Sequence, residues 1–318
     1  MKLLASSRNY EIAFKLGARL NKSYNSAFQQ ASQIAEKTIS KIKKTAIAIS
    51  AFAIGSASFG NAIDTFKNFE QSMANTAAIG GLERTSDEYA LLEKAALDAG
   101  KATTKTAQEA ADALGYMTLA GWDTQTSIKG LMPVLRLSEA TGMDLGKTSD
   151  MVTDTMSALG LEVDKVGLNV NGLTGYLDLV TKAQSSSNTT AEQLMEAYLS
   201  VGGTMKSLNV PMEESAAILG LMANRGTKGS EAGNSLNSIL VNLTSPAGKA
   251  KEALEKLGYS AFDSEGNFLG LEKSLLLLQD KLSGATDEQM QYFTSAIGGK
   301  TQLTALQQIL DGLGNEYS

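Results

Sequence analysis

From Tyr10 to Lys44 the apolar positions recur every three or four residues. Ile12, Leu16, Leu20, Tyr24, Ala27, Ala31, Ile34 and Ile42 form one stripe, with Thr38 in the remaining place. That period is the period of one helix face, so a long amphipathic helix is predicted. The pattern then changes: Thr45 to Ile63, "TAIAISAFAIGSASFGNAI", carries no charge. Small residues fall four apart here (Ala51 and Gly55, Ser56 and Gly60), a spacing that lets two helix backbones approach closely. Ala51, Phe52, Ile54, Gly55, Phe59 and Gly60 are the candidate residues of an oligomer-packing or membrane-entering helix. A spanning helix needs about 20 predominantly apolar residues. The segment sits at that limit with Ser, Gly and Asn inside it, so both readings stay open.

Beyond position 62 the apolar runs shorten and acquire start and stop signals. Thr85-x-x-Glu88, Thr106-x-x-Glu109, Thr189-x-x-Glu192 and Thr286-x-x-Gln289 each fit the capping box. In that box a Thr hydroxyl accepts from a free backbone N–H, and the acid or amide reaches back. Gly100, Gly121, Gly142, Gly160, Gly226, Gly258 and Gly298 follow apolar runs and read as helix stops. The expected fold is therefore all-α: a long N-terminal amphipathic helix, then a compact body of short helices. One exception is expected. Tyr259 to Phe262 and Asn267 to Leu269 flank a Ser-Glu-Gly turn and predict a small β-hairpin near 259–269.

Shifting the chain by 84 residues brings Thr106-Ala107 onto Thr190-Ala191 and Ala113 onto Ala197. Leu135 and Leu137 fall on Leu219 and Leu221, Gly142 on Gly226, and Leu159 on Leu243. Most apolar places between them also correspond, as Val134 with Ile218 and Met156 with Leu240. A three-helix unit repeated at about 104–160 and 188–244 is expected. Three stretches follow: 1–62 (basic helix and apolar helix), 63–245 (helical core with the repeat) and 246–318 (helices with the hairpin). The last reads as continuing into a longer product.

Composition narrows the chemistry. The 318 residues contain neither Cys nor His, which excludes disulfides, thiolate nucleophiles, imidazole ligands and a Ser-His-Asp triad. The net charge of −6 argues against a dedicated nucleic-acid site, and it is unevenly spread. Nine Lys or Arg stand against two acids between Lys2 and Lys44, so the head is basic and the rest acidic. The start, "MKLLASSRNYEIAF", lacks the apolar core of a signal peptide.

"TGMDLGKTSD", Thr141 to Asp150, resembles a phosphate-binding loop, and Gly299-Lys300-Thr301 repeats its core. The spacing fails. Such a loop needs four residues between its first Gly and the Gly-Lys pair, whereas only Met143, Asp144 and Leu145 lie between Gly142 and Gly146. Gly142 is expected to end one helix and Asp144 to cap the next. Ser40 and Lys43 match a serine–lysine spacing by chance. Glu213 with Glu214, and Asp287 with Glu288, belong in first helical turns. Trp122 is expected to pack at the repeat's hinge. The chain is expected to be no enzyme and to hold no cofactor or metal.

One resemblance runs through most of the chain. Thr106 to Ala111, the Ala-Gly-Trp-Asp turn at Ala120 to Asp123, Met132 to Leu135, and Gly142 to Gly146 follow in an order similar to that of phage tail tape measure proteins. "FEQSMANTAAIGG", "SSSNTTAEQLMEAY", "GLMANRGTKGSEAGNSLNSILVNL" and "AIGGKTQLTALQQIL" extend the likeness. It implies a virion structural protein lying in the tail tube lumen of a phage, prophage or tail-like particle. Such a protein scaffolds tail assembly with tail assembly chaperones, sets tube length and leaves on ejection. The implied partners are the tail tube protein, baseplate or tail-tip proteins and further copies of itself, as trimer or hexamer. A host membrane met during ejection through residues 45–63 is the alternative role. The likeness supplies no catalytic residue. A helix rises about 1.5 Å per residue, so the compact body suits an end domain, and the measuring part is expected to be the Tyr10–Lys44 helix at most, or to lie beyond Ser318.

Overall fold

A computed structural model describes residues 59–161, 170–299 and 302–313. Of residues 59–63, 170 and 171 it describes the backbone alone. Among the described residues there are thirteen helices. The first seven are α1 (Phe59–Gly80), α2 (Asp87–Ala102), α3 (Ala107–Leu119), α4 (Thr124–Thr141), α5 (Leu145–Leu159), α6 (Val170–Ser186) and α7 (Ala191–Ser207). Then come α8 (Met212–Asn224), α9 (Gly229–Thr244), α10 (Gly248–Leu257), α11 (Leu271–Leu282), α12 (Asp287–Gly298) and α13 (Leu303–Leu313). The all-α class is as the sequence predicts. The long amphipathic helix over 10–44 lies outside the described residues.

Two compact units divide the chain between Glu70 and Gln71. In the first, the described part is the start of α1, where Asp64 and Lys67 form an exposed ion pair one turn apart.

In the second unit the chain zigzags between two rows of helices. One row runs α2, α3, α5, α7, α9, each packed on the next; the other runs α4, α6, α8, with α13 and α11 beyond. Small residues make the first row tight. Ser149 on α5 donates its hydroxyl to the Ala113 carbonyl of α3 at 2.9 Å. Gly202 on α7 lies against Ala158 of α5, and a Cβ at Gly233 on α9 would come within 2.3 Å of the Ala197 carbonyl oxygen of α7. Between the rows, Leu114, Leu131, Leu135, Leu145, Leu173 and Leu194 are at most 1% exposed. Truncating one such Leu to Ala typically costs about 2–5 kcal/mol.

The start signals hold with a slip. Thr106–Glu109 and Thr286–Gln289 form the predicted boxes. At the other two places the cap moves one residue: Ser86, not Thr85, caps α2, and Thr190 pairs with Gln193 ahead of α7. Adjacent Thr residues satisfy the pattern equally at that point. Using Thr190 leaves Glu192 free to reach Lys147 on α5. Gly100 is also no stop; it lies inside α2, where a Cβ would be 2.7 Å from the Ala107 backbone nitrogen.

The predicted hairpin does not form strands. Phe262 and Phe268 make a single antiparallel bridge, their rings 6.1 Å apart. The Asp263 carboxylate accepts from the Glu265 and Asn267 backbone N–H groups and closes a tight turn. Tyr259 turns into the body and donates to the Ser274 carbonyl, while α11 begins at Leu271, so neither side has residues left to lengthen the pairing.

Candidate functional site

The loop that resembles a phosphate cradle is a helix junction. α4 ends at Thr141, Gly142 takes φ 73° in the left-handed region, and the Asp144 carboxylate accepts from the Lys147 N–H at 2.9 Å to cap α5. The Thr148 hydroxyl donates back to the Asp144 carbonyl. Lys147 forms an ion pair with Glu192 across α5 and α7, and that bond raises its pKa. Both groups a phosphate would need are thus engaged within the protein. At the second occurrence Gly299, with φ 77°, ends α12, and Lys300 and Thr301 lie outside the described residues.

The other singled-out residues serve local structure. Glu214 on α8 accepts from the Leu271 and Glu272 N–H groups at 3.2 and 3.3 Å, capping α11, whose own N-cap residue Gly270 has no side chain. Asp287 and Glu288 open α12 behind the Thr286 cap. The Trp122 ring fills the space over Gly130, where a Cβ would lie 2.6 Å from it. Ser40, Lys43, Ala51, Phe52, Ile54 and Gly55 lie outside the described residues, and Phe59 and Gly60 supply the first backbone turn of α1. Among the described residues no helix is long and apolar enough to cross a membrane. Nor do three or more acids there cluster in a way that could hold a metal ion.

A polar seam crosses the core. The Tyr176 hydroxyl (α6) meets the Thr155 hydroxyl (α5) at 2.6 Å, and the Tyr198 hydroxyl (α7) meets the Ser215 hydroxyl (α8) at 3.1 Å. The two rings tilt against each other at 6.3 Å. Burial pushes both phenols well above their ordinary pKa, so they remain neutral donors. At the surface, Thr104 donates its N–H and hydroxyl to Glu139, which lowers the pKa of that carboxyl.

One surface feature escapes the sequence pattern. A cleft of about 310 Å³ opens between the C-terminal half of α1, α3 and the start of α5. Gly115 and Gly146 floor it: a Cβ on the first would lie 3.1 Å from the Thr76 hydroxyl, and on the second 3.2 Å from the Tyr116 ring. Ile79, Tyr116 and Leu119 stand exposed around it, Leu119 at 67%, and its lining residues include Glu109, Asp112 and Asp144 but no cation. The available signal was Tyr116 and Leu119 themselves, apolar residues off the buried Ala110, Ala113, Leu114, Met117 stripe of α3.

Polar side chains of this body thus serve helix caps, buried hydroxyl pairs and the helix-to-helix ion pair of Lys147 with Glu192. The chain belongs to the family of phage-related minor tail proteins, whose model matches residues 93–299. It is similar to the tape measure protein of Pneumococcus phage Dp-1, with 27% identity over 260 residues that cover 82% of this chain and 21% of the relative. It is also similar to the probable tape measure protein of Escherichia phage P2, with 27% identity over 241 residues, 74% of this chain and 29% of the relative. The chain therefore corresponds to less than a third of the length of either relative. No solved structure matches it.

Proposed function

We propose that this chain is a structural component of a phage tail or tail-like particle, acting as the conserved helical portion of a tape measure protein. The observation that carries the proposal is the similarity to the Dp-1 tape measure protein across 82% of the chain. In this reading the protein occupies the tail tube lumen and scaffolds tail assembly in the host cytoplasm with the tail assembly chaperones. It contacts the tube protein and the baseplate or tail-tip proteins, and is released on ejection. It performs no catalysis and uses no cofactor. Helices folded back and forth in two rows make an end domain, not a ruler; the measuring falls to other parts of the protein, the 10–44 stretch among them. The basic head nucleates self-assembly into a trimer or hexamer.

The test is electron microscopy of particles produced with and without the gene for this chain, with mass spectrometry of the purified tails. The chain is expected in the tails, and its loss is expected to abolish them or leave tubes of uncontrolled length. Normal tails without it would overturn the proposal.

The stretches 104–160 and 188–244 we read as two copies of one unit. Supporting this, positions 84 apart do corresponding work. Thr106 and Thr190 each head a capping box. The N–H two residues earlier is taken by a side chain from the end of the following row-two helix, Thr104 by Glu139 and Asn188 by Asn224. Ser149 and Gly233 both meet the carbonyl of the matching alanine, Ala113 or Ala197.

A further inference from the structure

We propose that the α1–α3–α5 cleft is the docking site for the basic amphipathic stretch Tyr10–Lys44 of a second copy of this chain. The inference rests on the self-assembly reading above and names the surface that receives the head. Exposed Ile79, Tyr116 and Leu119 present apolar area that the body leaves uncovered, and the two buried glycines let α1 and the Tyr116 ring pack closely beneath it. The carboxylates of Glu109, Asp112 and Asp144 line the same cleft without a cation among the lining residues. An occupant must therefore bring apolar side chains three or four apart together with positive charge. The sequence from Tyr10 to Lys44 has that pattern: Leu16 and Leu20 with Lys15, Arg19 and Lys22, in a head holding nine cations against two acids. A patch of this kind marks an interaction surface, and opposite charge fixes its partner's orientation.

The absence of cysteine makes the test clean, because engineered thiols have no native competitor. Full-length chains carrying Ala27→Cys are mixed with full-length chains carrying Leu119→Cys, so any heterodisulfide joins two copies. As a control the second chain carries Leu199→Cys instead, at a residue also exposed, at 45%. The Leu119 pair is expected to cross-link about tenfold faster or more than the Leu199 pair, as proximity dictates. Asp112→Lys, or added salt, is expected to remove that advantage. Equal rates for the two pairs in a preparation that light scattering shows to be oligomeric would overturn the docking site and leave self-assembly standing. A monomeric preparation would overturn both. A bond that forms only when both thiols are in one chain would overturn the second copy as occupant.

Discussion

The Tyr176 and Thr155 hydroxyls lie 2.6 Å apart in the buried seam where α6 meets α5. Thr155 also donates back along its own helix to the Met151 carbonyl, so it keeps a partner if the tyrosine hydroxyl is removed. Tyr176→Phe is therefore expected to cost about 1 kcal/mol, the net value of one hydrogen bond. Tyr176→Ala empties a fully buried ring site and is expected to cost about 3–5 kcal/mol. Chemical denaturation of the two variants measures the difference.

Buried phenols, two of them in this seam, set an alkaline limit. Burial raises the pKa of Tyr176 and Tyr198, and pushes Tyr259 up to about 12. The unfolded chain loses these protons near pH 10 while the folded chain holds them. Stability is thus fully present below about pH 10 and falls as pH rises beyond it, by up to about 1.4 kcal/mol per pH unit for each such group. Tyrosinate absorbance is expected to show these residues ionising together with loss of helix signal.

Asp150 is predicted to behave oppositely to the capping acids. Desolvation, and then the neighbouring Asp154, raise its pKa. Its charge disfavours the fold at neutral pH, and protonation as pH falls relieves that. Asp150→Asn is expected to stabilise the chain at pH 7 and to lose its advantage below the ordinary carboxylate pKa. Asp123, lowered by the Thr126 N–H it caps, should lose its stabilising contribution as pH falls through its depressed value. Melting temperatures across the acid range check both signs.

Glu214 and α11 offer a local test. Glu214→Ala removes the only side chain capping the Leu271 and Glu272 amides among the described contacts, and is expected to cost about 1 kcal/mol. Hydrogen exchange should accelerate at those two amides, while α7 and α9 stay protected.

Positions 149 and 233, which lie 84 residues apart, should respond differently. Gly233→Ala drives a Cβ against the Ala197 carbonyl and is expected to cost about 2–3 kcal/mol, because backbone must move. Ser149→Ala loses one hydrogen bond and is expected to cost about 1 kcal/mol. Gly203→Ala, on the exposed face of α7 with open space around it, is expected to stabilise by about 0.5–1 kcal/mol.

What the sequence made legible was local. Asp144 caps α5 and Gly142 ends α4 because both interactions span four residues or fewer, and the chain spacing alone specifies them. Contacts of long span were out of reach: Glu214 finds α11 across 57 residues and Tyr176 finds Thr155 across 21, distances at which no periodicity carries information. The hairpin failed for a related reason. Alternation around Ser-Glu-Gly looked like two strands, but Asp263 closes the turn with its own carboxylate and the flanking residues belong to the body. The cleft was hidden because nothing in the spacing of Gly115 and Gly146 tells that Thr76 of α1 and the Tyr116 ring lie over them.

The most direct measurement of the central claim is tail length by electron microscopy in particles whose gene for this chain carries in-frame helical heptads after Lys44. At a rise of about 1.5 Å per residue, four added heptads are predicted to lengthen the tail by about 42 Å, and eight by about twice that. Intact tails of unchanged length at both insertions would contradict the account.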